Sequence, residues 1–147
     1  FWTRRQPEVD ISADIDQASY GHEIDEVAFR IVQESLNNAI RHGAPARIAI
    51  KAHAQCASNP AVLKLSIIDD GSGISPASSP GFGIEGMRER AEAVGGTLEV
   101  SPNALTSGVA VIATLPLPTG VCLCTAQPSG NNSHKTNNDT EGKGLEI

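Results

Sequence analysis

Hydrophobic and polar residues follow two different periods along the first part of the chain. From Glu8 to Ile15 apolar residues fall at every second position, a pattern typical of a half-buried β-strand. Between Asp25 and His42 apolar residues recur at steps of three and four, which predicts an amphipathic α-helix. Gly43 comes next and is expected to end that helix.

The rest of the hydrophobic pattern predicts four more strands and a second helix. The strands are expected over Arg47–Ala54, Val62–Asp69, Thr97–Ser101 and Val109–Leu117, and the helix over Ile84–Val94. Ser58-Asn59-Pro60 is expected to turn the chain between two strands, and Gly95-Gly96 to end the second helix. Strands and helices do not alternate as they would in a parallel doubly wound sheet. The prediction is therefore an α+β two-layer sandwich, with a mixed, mostly antiparallel sheet covered by helices on one face.

Length, charge and composition limit the kinds of domain and partner that can be expected for this chain. The 147 residues suffice for one domain, and the net charge of -6 disfavours nucleic acid as a partner because like charges repel. No apolar run is long enough to cross a bilayer, so a soluble domain is expected. After Pro118 the residues are mostly polar. We therefore expect one domain over residues 1–118 and a largely disordered tail over 119–147.

The three cysteines do not form a recognisable motif. Three is an odd number, and one residue separates Cys122 from Cys124, instead of the two of a redox or zinc pair. We therefore expect reduced thiols in a reducing compartment, with Cys56 taking no part in function.

Glu34, Asn38 and Arg41 share one face of the first predicted helix. At about 100° per residue, Asn38 lies about 40° from Glu34, and Arg41 lies about 20° to the other side. This face borders the apolar arc and suits the wall of a half-buried pocket. Taken alone, the pattern is more typical of the solvated side of an ordinary helix.

Asp69, Gly71 and Gly73 follow directly on an apolar strand. A carboxylate at a strand end accepts a hydrogen bond from an exocyclic amine, and glycines let the backbone approach a flat ring, as adenine binding requires. A plain turn is the commoner origin of such a motif on its own. Calcium binding is a further alternative, but the ligand spacing of an EF-hand loop is missing.

Gly81, Gly83 and Gly86 open the second predicted helix. Glycines there leave room for a phosphate, and the free N–H groups and dipole of a helix start favour an anion. The spacing also matches a dinucleotide-binding motif. That motif joins the first strand to the first helix of a βαβ unit, whereas here it comes late and follows a loop. We therefore predict a phosphate site.

In this order the three motifs resemble the N, G1 and G2 boxes of the ATPase superfamily shared by histidine kinases, gyrase, Hsp90 and MutL. The boxes are Glu34–His42, Asp69–Gly73 and Gly81–Gly86. The extension Gly86–Ala91 and the closing Gly108–Pro116 look like the sensor kinases that signal to helix-turn-helix response regulators. The resemblance covers about residues 8–118 and implies the Bergerat ATP-binding fold.

The resemblance implies a role for each motif residue. Asn38 would coordinate the Mg²⁺ that bridges the ATP phosphates, Glu34 would orient water or metal beside it, and Asp69 would accept the adenine amine. The other residues fall into two groups: Gly71 and Gly73 beside the adenine, and Gly81, Gly83, Gly86, Arg41 and His42 beside the phosphates. Residues 74–80 would form a short lid over the nucleotide.

A complete histidine kinase also needs a phosphoacceptor histidine on a dimerising helical hairpin, and no histidine of this chain lies in such a pattern. His22-Glu23 has the right dipeptide, but no hairpin fits between it and the ATP motifs, so His22 is expected to be a solvated loop residue. The resemblance thus implies a cytoplasmic catalytic domain of a homodimeric, membrane-anchored sensor kinase. Its partners would be ATP, the phosphoacceptor and dimerisation domain of the same kinase, and a cognate response regulator.

Three alternatives stay open at this point. The first two are a serine kinase and a conformational ATPase built on the same fold. The third is a non-catalytic module that uses the fold only for protein contacts.

Overall fold

The computed structural model describes residues 6–74 and 82–122, and all the predicted strands and helices lie within these ranges. The strands are β1 (Glu8–Asp14), β2 (Arg47–Gln55), β3 (Val62–Asp69), β4 (Thr97–Pro102) and β5 (Val109–Pro116). The helices are α1 (His22–Asn38), which continues into a π-helical turn over Ala39–Gly43, and α2 (Phe82–Ala93). The order of elements predicted from the hydrophobic pattern is confirmed.

The strands form one mixed sheet in the order β1-β2-β3-β5-β4. β1 runs parallel to β2, and the other neighbouring pairs are antiparallel. Every second residue of β3 from Leu63 to Asp69 is buried, and the helices pack on this buried face. α1 lies mainly over β3 and β5, and α2 lies mainly over β4 and β5. The predicted α+β sandwich is confirmed.

Four large apolar side chains form the centre of the core between the sheet and the helices. Ile31 of α1, Ile48 of β2, Met87 of α2 and Leu115 of β5 are almost completely buried. Burial of each side chain of this size contributes about 1.5–3 kcal/mol. The core therefore ties both helices to the middle of the sheet.

β1 is not the half-buried strand that its alternating pattern predicts, because all seven of its residues are exposed. Ile11 keeps 69% of its surface accessible. The physical reason is the position of β1, which is an edge strand, while α1 packs mainly over β3 and β5.

α1 begins at His22, three residues before the predicted start. Gly21 precedes it with a φ of +104°, a backbone conformation that glycine adopts without strain. The Asp25 carboxylate fixes the entry to the helix, since it accepts hydrogen bonds from the Tyr20 N–H at 3.0 Å and from the Ser19 hydroxyl. His22 is therefore a helical residue and not a loop residue, although its side chain is 92% exposed.

α1 widens at its carboxyl end instead of stopping at Gly43 as an α-helix. Ala39–Gly43 form a π-helical turn, and Ala44 follows with a φ of 44°. Such wide turns are rare and occur often at functional sites. Arg41 and His42 lie in this turn, so the spacing of a regular α-helix does not fix their directions.

A disulfide joins Cys56 to Cys122 at the end of the sheet away from Asp69, and their Cα atoms lie 5.7 Å apart. The expectation of reduced thiols is wrong for these two residues, and so is the interpretation of Cys56 as a residue without a role. β2 and β5 both run antiparallel to β3, so they end on the same side of the sheet. Cys56 follows β2 and Cys122 lies shortly after β5, a proximity that sequence spacing does not reveal.

Tyr20 packs into the same end of the molecule and is 3% exposed. Its hydroxyl donates a hydrogen bond to the Asp16 carboxylate and accepts one from the Asp16 N–H at 3.1 Å. Burial, followed by the side-chain hydrogen bond with Asp16, raises the pKa of Tyr20 above its usual value of 10.0. The loop between β1 and α1 is thus fastened beside the disulfide.

Some expectations concern residues outside the described ranges: Gly81, Cys124, the lid residues 75–80 and the tail residues 123–147. Of the expected tail, residues 119–122 are described, and Cys122 is buried in the core. Among the helices of residues 6–74 and 82–122, none has the length and apolar character needed to span a membrane.

Candidate functional site

A cavity of about 510 Å³ opens between the helices and the end of the sheet where β3 stops and β5 begins. α1 and its π-helical turn form one wall, the loop after β3 forms the second, and the start of α2 forms the third. The lining residues are Ser35, Asn38, Ala39, His42, Gly43, Ile67, Asp69, Ser72, Gly73, Ile74, Gly83, Ile84, Met87, Val100, Val109 and Val111.

The floor of the cavity is apolar and well packed. Ile67, Val111 and Met87 are buried there, and the Ser35 hydroxyl lies 3.5 Å from the Met87 sulfur. A slot lined by aliphatic side chains with a few convergent polar groups is the usual form of a small-molecule site. The floor therefore suits an apolar part of an organic ligand better than a free ion.

Asp69 is the buried carboxylate of this slot, with 7% of its surface exposed. Its Oδ1 atom accepts the Gly71 N–H at 2.8 Å, which fixes the rotation of the carboxyl group. Its backbone carbonyl accepts a hydrogen bond from Asn103 Nδ2 at 3.0 Å. Because the carboxylate is held in one orientation, it is suited to recognise one particular donor on a ligand.

Asp70, the next residue, has a different task. Its Oδ1 atom accepts the N–H groups of Ala46 and Arg47, both at 2.8 Å, so it holds the start of β2. Asp70 does not line the cavity. The alternation of side chains along the end of β3 thus directs one carboxylate to the cavity and its neighbour to the backbone.

Glycines allow the loop after β3 to lie against the π-helical turn. A Cβ atom on Gly71 would lie 2.6 Å from the Gly43 carbonyl oxygen, too close for any side chain. The Ser72 N–H donates to the same oxygen at 2.9 Å, and the Ser72 hydroxyl donates to the His42 carbonyl at 3.1 Å. The chain therefore needs glycine at position 71 to bring the two walls together.

The loop before β5 closes on the same segment. Gly73 has a φ of +81°, and a Cβ atom there would overlap the Ser107 carbonyl oxygen. The Ser107 hydroxyl donates to the Gly71 carbonyl at 2.7 Å. At Gly108 a Cβ atom would overlap the backbone of Asp69. Close backbone contacts thus fix the position of the buried carboxylate.

The α1 wall supplies polar groups on the opposite side. Asn38 and His42 line the cavity, and Glu34 lies one helical turn before Asn38. Residues four apart on an α-helix have neighbouring side chains. A Cβ atom on Gly83 would overlap the Glu34 carboxylate, so Glu34 faces the start of α2. Amide and carboxylate oxygens are ligands that suit Mg²⁺, so Asn38 and Glu34 are residues that could hold such a cation.

The structure brings most of the predicted site residues together. Asn38, His42, Asp69, Gly73 and Gly83 line the cavity. Glu34 and Gly71 contact its walls, as described above. Arg41 is exposed and Gly86 lies further along α2, so neither lines the cavity, and Gly81 lies outside the described residues. The individual roles of these residues stay predictions.

The apolar floor and two structural glycines of the site are not apparent from the sequence. The hydrophobic pattern places Val100, Val109 and Val111 in strands and Gly43 at the end of a helix, without indicating a part in a site. Gly108 belongs to the closing motif. The available signal was weak, because alternating strand residues show which face is buried but not that a cavity lies above it.

The known proteins that are similar to this chain belong to one family. Residues 24–119 match the sequence profile described as "Histidine kinase-, DNA gyrase B-, and HSP90-like ATPase". Over 103 residues the chain is 39% identical to the signal transduction histidine-protein kinase/phosphatase UhpB of Salmonella typhimurium, a match that covers 69% of this chain and 19% of that protein. Over 108 residues it is 35% identical to the sensor histidine kinase YxjM of Bacillus subtilis, a match that covers 74% of this chain and 25% of that protein. The chain thus spans about a quarter or less of these relatives.

Solved structures show the same fold. The histidine kinase domain of a blue-light activated kinase from Erythrobacter litoralis has a TM-score of 0.58 at 20% identity, over 78% of this chain and 54% of that one. The ATP-binding domain of PrrB from Mycobacterium tuberculosis has a TM-score of 0.55 at 20% identity, over 79% of this chain and 85% of that one. At this identity the likeness supports the arrangement of sheet and helices.

Proposed function

The chain belongs to the family of histidine kinase-, DNA gyrase B- and HSP90-like ATPases, and from this membership we propose that it is the catalytic domain of a sensor kinase that donates the γ-phosphate of Mg-ATP to a histidine on a separate dimerisation domain. The observation that carries the proposal is the buried, rotationally fixed Asp69 carboxylate at the end of an apolar slot. The relatives described above are named as histidine kinases, which favours this role over a serine kinase or a conformational ATPase.

Adenine would occupy the slot. Its ring would pack against the aliphatic floor, while its exocyclic amine would donate to the Asp69 carboxylate. Guanine carries a carbonyl oxygen at the corresponding ring position, and that oxygen would face a carboxylate without a donor between them. A mismatched buried polar pair costs about 1–3 kcal/mol, so ATP would be preferred over GTP.

The triphosphate would lie between the α1 wall and the start of α2. Asn38 and Glu34 would hold Mg²⁺, which neutralises phosphate charge when bound. The phosphates would lie beside the start of α2, where backbone N–H groups favour an anion, and the absence of a side chain at Gly83 accommodates the Glu34 carboxylate there. His42 of the π-helical turn lines the same wall and would contact the phosphate chain.

The domain would promote phosphoryl transfer by positioning the reacting groups and by stabilising the charge that develops on the phosphate. Phosphoryl transfer needs the attacking group and the leaving oxygen in line, with the developing charge neutralised and water kept away. The acceptor histidine would come from the dimerisation domain, and a response regulator would take the phosphoryl group from it.

A transfer reaction in two separate chains tests this proposal. The full chain incubated with γ-labelled ATP should bind the nucleotide without acquiring acid-labile label. When the histidine-bearing dimerisation module of the same kinase is added as a second chain, label should appear on that module. Stoichiometric acid-labile label on this chain alone would contradict the assignment and would direct attention to His22 or His42.

A further inference from the structure

Three side chains of metal-ligating types meet at the end of the sheet that carries the disulfide. Asp16 comes from the loop between β1 and α1, Cys56 follows β2, and Cys122 lies shortly after β5. The two sulfur atoms and a carboxylate oxygen of Asp16 all lie within 4.8 Å of one another. None of these residues lines the nucleotide cavity. The cluster is therefore a separate place at which the chain could hold a ligand.

The Asp16 carboxylate is oriented towards the sulfur atoms. Its Oδ1 atom accepts a hydrogen bond from the Tyr20 hydroxyl, and its Oδ2 atom lies 3.6 Å from the Cys56 sulfur. Tyr20 is buried, so its hydroxyl holds the carboxyl group in this rotation. Carboxylates that bind metal ions are themselves held by such hydrogen bonds. One oxygen of Asp16 is thus tied to the protein, and the other faces the cysteines.

The spacing of the three groups fits a tetrahedral zinc site. Zn–S bonds of about 2.3 Å and Zn–O bonds of about 2.1 Å place a sulfur and an oxygen ligand about 3.6 Å apart and two sulfur ligands about 3.8 Å apart. The separation of Asp16 Oδ2 and Cys56 Sγ matches the first of these distances. The two sulfurs are bonded to each other. They therefore have to separate before a cation binds.

We propose that this chain, with Cys56 and Cys122 reduced, binds one Zn²⁺ through the two thiolates and the Asp16 carboxylate. Thiolates prefer zinc and other soft cations, whereas Mg²⁺ prefers oxygen ligands, so this site takes a different metal from the nucleotide cavity. Three protein ligands leave the fourth tetrahedral position to water. The proposal does not depend on the nucleotide function.

The oxidation state of the two cysteines decides whether zinc binds. A dithiol reductant breaks the Cys56–Cys122 bond by supplying two electrons and two protons, and it becomes a disulfide itself. Zinc then displaces the proton of each thiol, and both protons pass to solvent. In the oxidised chain the sulfurs carry no thiolate charge. Zinc and the disulfide are therefore alternatives, and each joins the segments that follow β2 and β5.

Burial of the cysteines favours a bound cation in the reduced chain. Cys56 and Cys122 are 5% and 7% exposed. A buried charge is costly unless an opposite charge or a metal ion balances it, and Zn²⁺ balances both thiolates. Asp16 is exposed, so a cation and its water ligand can reach the cluster from the side of this residue.

Binding of Co²⁺, a spectroscopic substitute for Zn²⁺, tests the proposal on the full chain, because bonds from thiolates to cobalt give a charge-transfer band. The chain reduced with a phosphine should bind one Co²⁺ per chain with this band, and Zn²⁺ should remove the band by displacement. The oxidised chain should show no band. This comparison also separates the cluster from histidines or carboxylates elsewhere on the chain, which oxidation leaves unchanged.

Two substitutions and two controls assign the ligands. Loss of an outer hydrogen-bond partner lowers metal affinity by about 10–100-fold, so Tyr20→Phe should weaken zinc binding in this range and Asp16→Asn at least as much. Asp14→Asn is the matched control, because the Asp14 carboxylate lies 2.8 Å from Nδ1 of His53, and this variant should keep the affinity of the parent chain. Cys124→Ser should keep the charge-transfer band.

Four results would overturn the proposal. They are a reduced chain without the band, an oxidised chain with an equal band, Asp16→Asn with the zinc affinity of the parent chain, and Cys124→Ser without the band. Circular dichroism checks the fold of each variant. If reduction itself unfolds the chain, zinc should restore the native spectrum of the parent chain at concentrations that leave Asp16→Asn unfolded, and a failure to do so would equally contradict the site.

Discussion

The two ends of the sheet are built for different purposes. At the end formed by Asp69 and Gly108, backbone segments meet through glycines and a cavity of about 510 Å³ is left open. At the other end the Cys56–Cys122 disulfide and buried Tyr20 join three separate segments. At the cavity end, space that core side chains could fill is open to a ligand, whereas at the other end the disulfide links the chain covalently. Stability and binding should therefore respond to different substitutions.

Removal of the disulfide should give the largest change in stability. The bond joins residues 66 positions apart, and the loss of a disulfide that closes a long loop lowers the free energy of unfolding by about 2–4 kcal/mol. Cys56→Ser should show this loss in urea unfolding under oxidising conditions, while the nucleotide affinity of the folded protein stays unchanged. Cys124→Ser is the control and should match the parent chain. Equal stability of Cys56→Ser and Cys124→Ser would contradict the assignment of the disulfide end as the stabilising end.

Gly108→Ala should lower both the stability of the domain and its affinity for ATP. Its Cβ atom would collide with the Asp69 backbone, and overpacking of this kind lowers stability by about 1–3 kcal/mol. The displacement of Asp69 should also weaken ATP binding, measured by calorimetry. In Gly86→Ala the new atom meets only Arg90 Nη1 at 3.1 Å, and that side chain can move. This control should be as stable as the parent chain or slightly more stable, because alanine favours a helix over glycine. Similar losses in both variants would argue against close backbone contact at Gly108.

Asn38→Ala should have the smallest effect of these three and should act on binding alone. If Asn38 holds Mg²⁺, the gain in ATP affinity on adding magnesium should fall about tenfold, or about 1.4 kcal/mol. Asn37→Ala alters the neighbouring exposed amide, which does not line the cavity, and should keep the full magnesium effect. Unchanged magnesium dependence in Asn38→Ala would remove Asn38 from the metal site.

The sequence predicted the elements well because their patterns are local. The alternation in β3 and the three- and four-residue steps in α1 follow directly from which faces are buried. The exposure of β1 was not predictable in the same way. Its alternating pattern is that of a half-buried strand. Whether a helix covers an edge strand depends on where the helices lie, and the position of the helices is a property of the whole fold.

The position of Asp69 and Asn38 at the cavity could be expected from the sequence, because both lie in ordered motifs of carboxylate, amide and glycine residues. Their chemical roles stay predictions. The disulfide was missed because the antiparallel sheet, and not the spacing of the cysteines, brings Cys56 beside Cys122. Arg41 was placed on the cavity face by regular helical spacing, and the π-helical turn leaves it exposed.

The most direct test compares the same substitution at two neighbouring carboxylates. If Asp69 reads the adenine amine, Asp69→Asn should lower the affinity for ATP by tenfold or more, since a mismatched buried polar pair costs about 1–3 kcal/mol, while the affinity for GTP changes far less. Asp70→Asn should keep the ATP-to-GTP ratio of the parent chain, because Asp70 binds the backbone of β2 outside the cavity. Calorimetric titration of both variants with both nucleotides gives the answer. Equal weakening of ATP and GTP binding in Asp69→Asn would contradict the account.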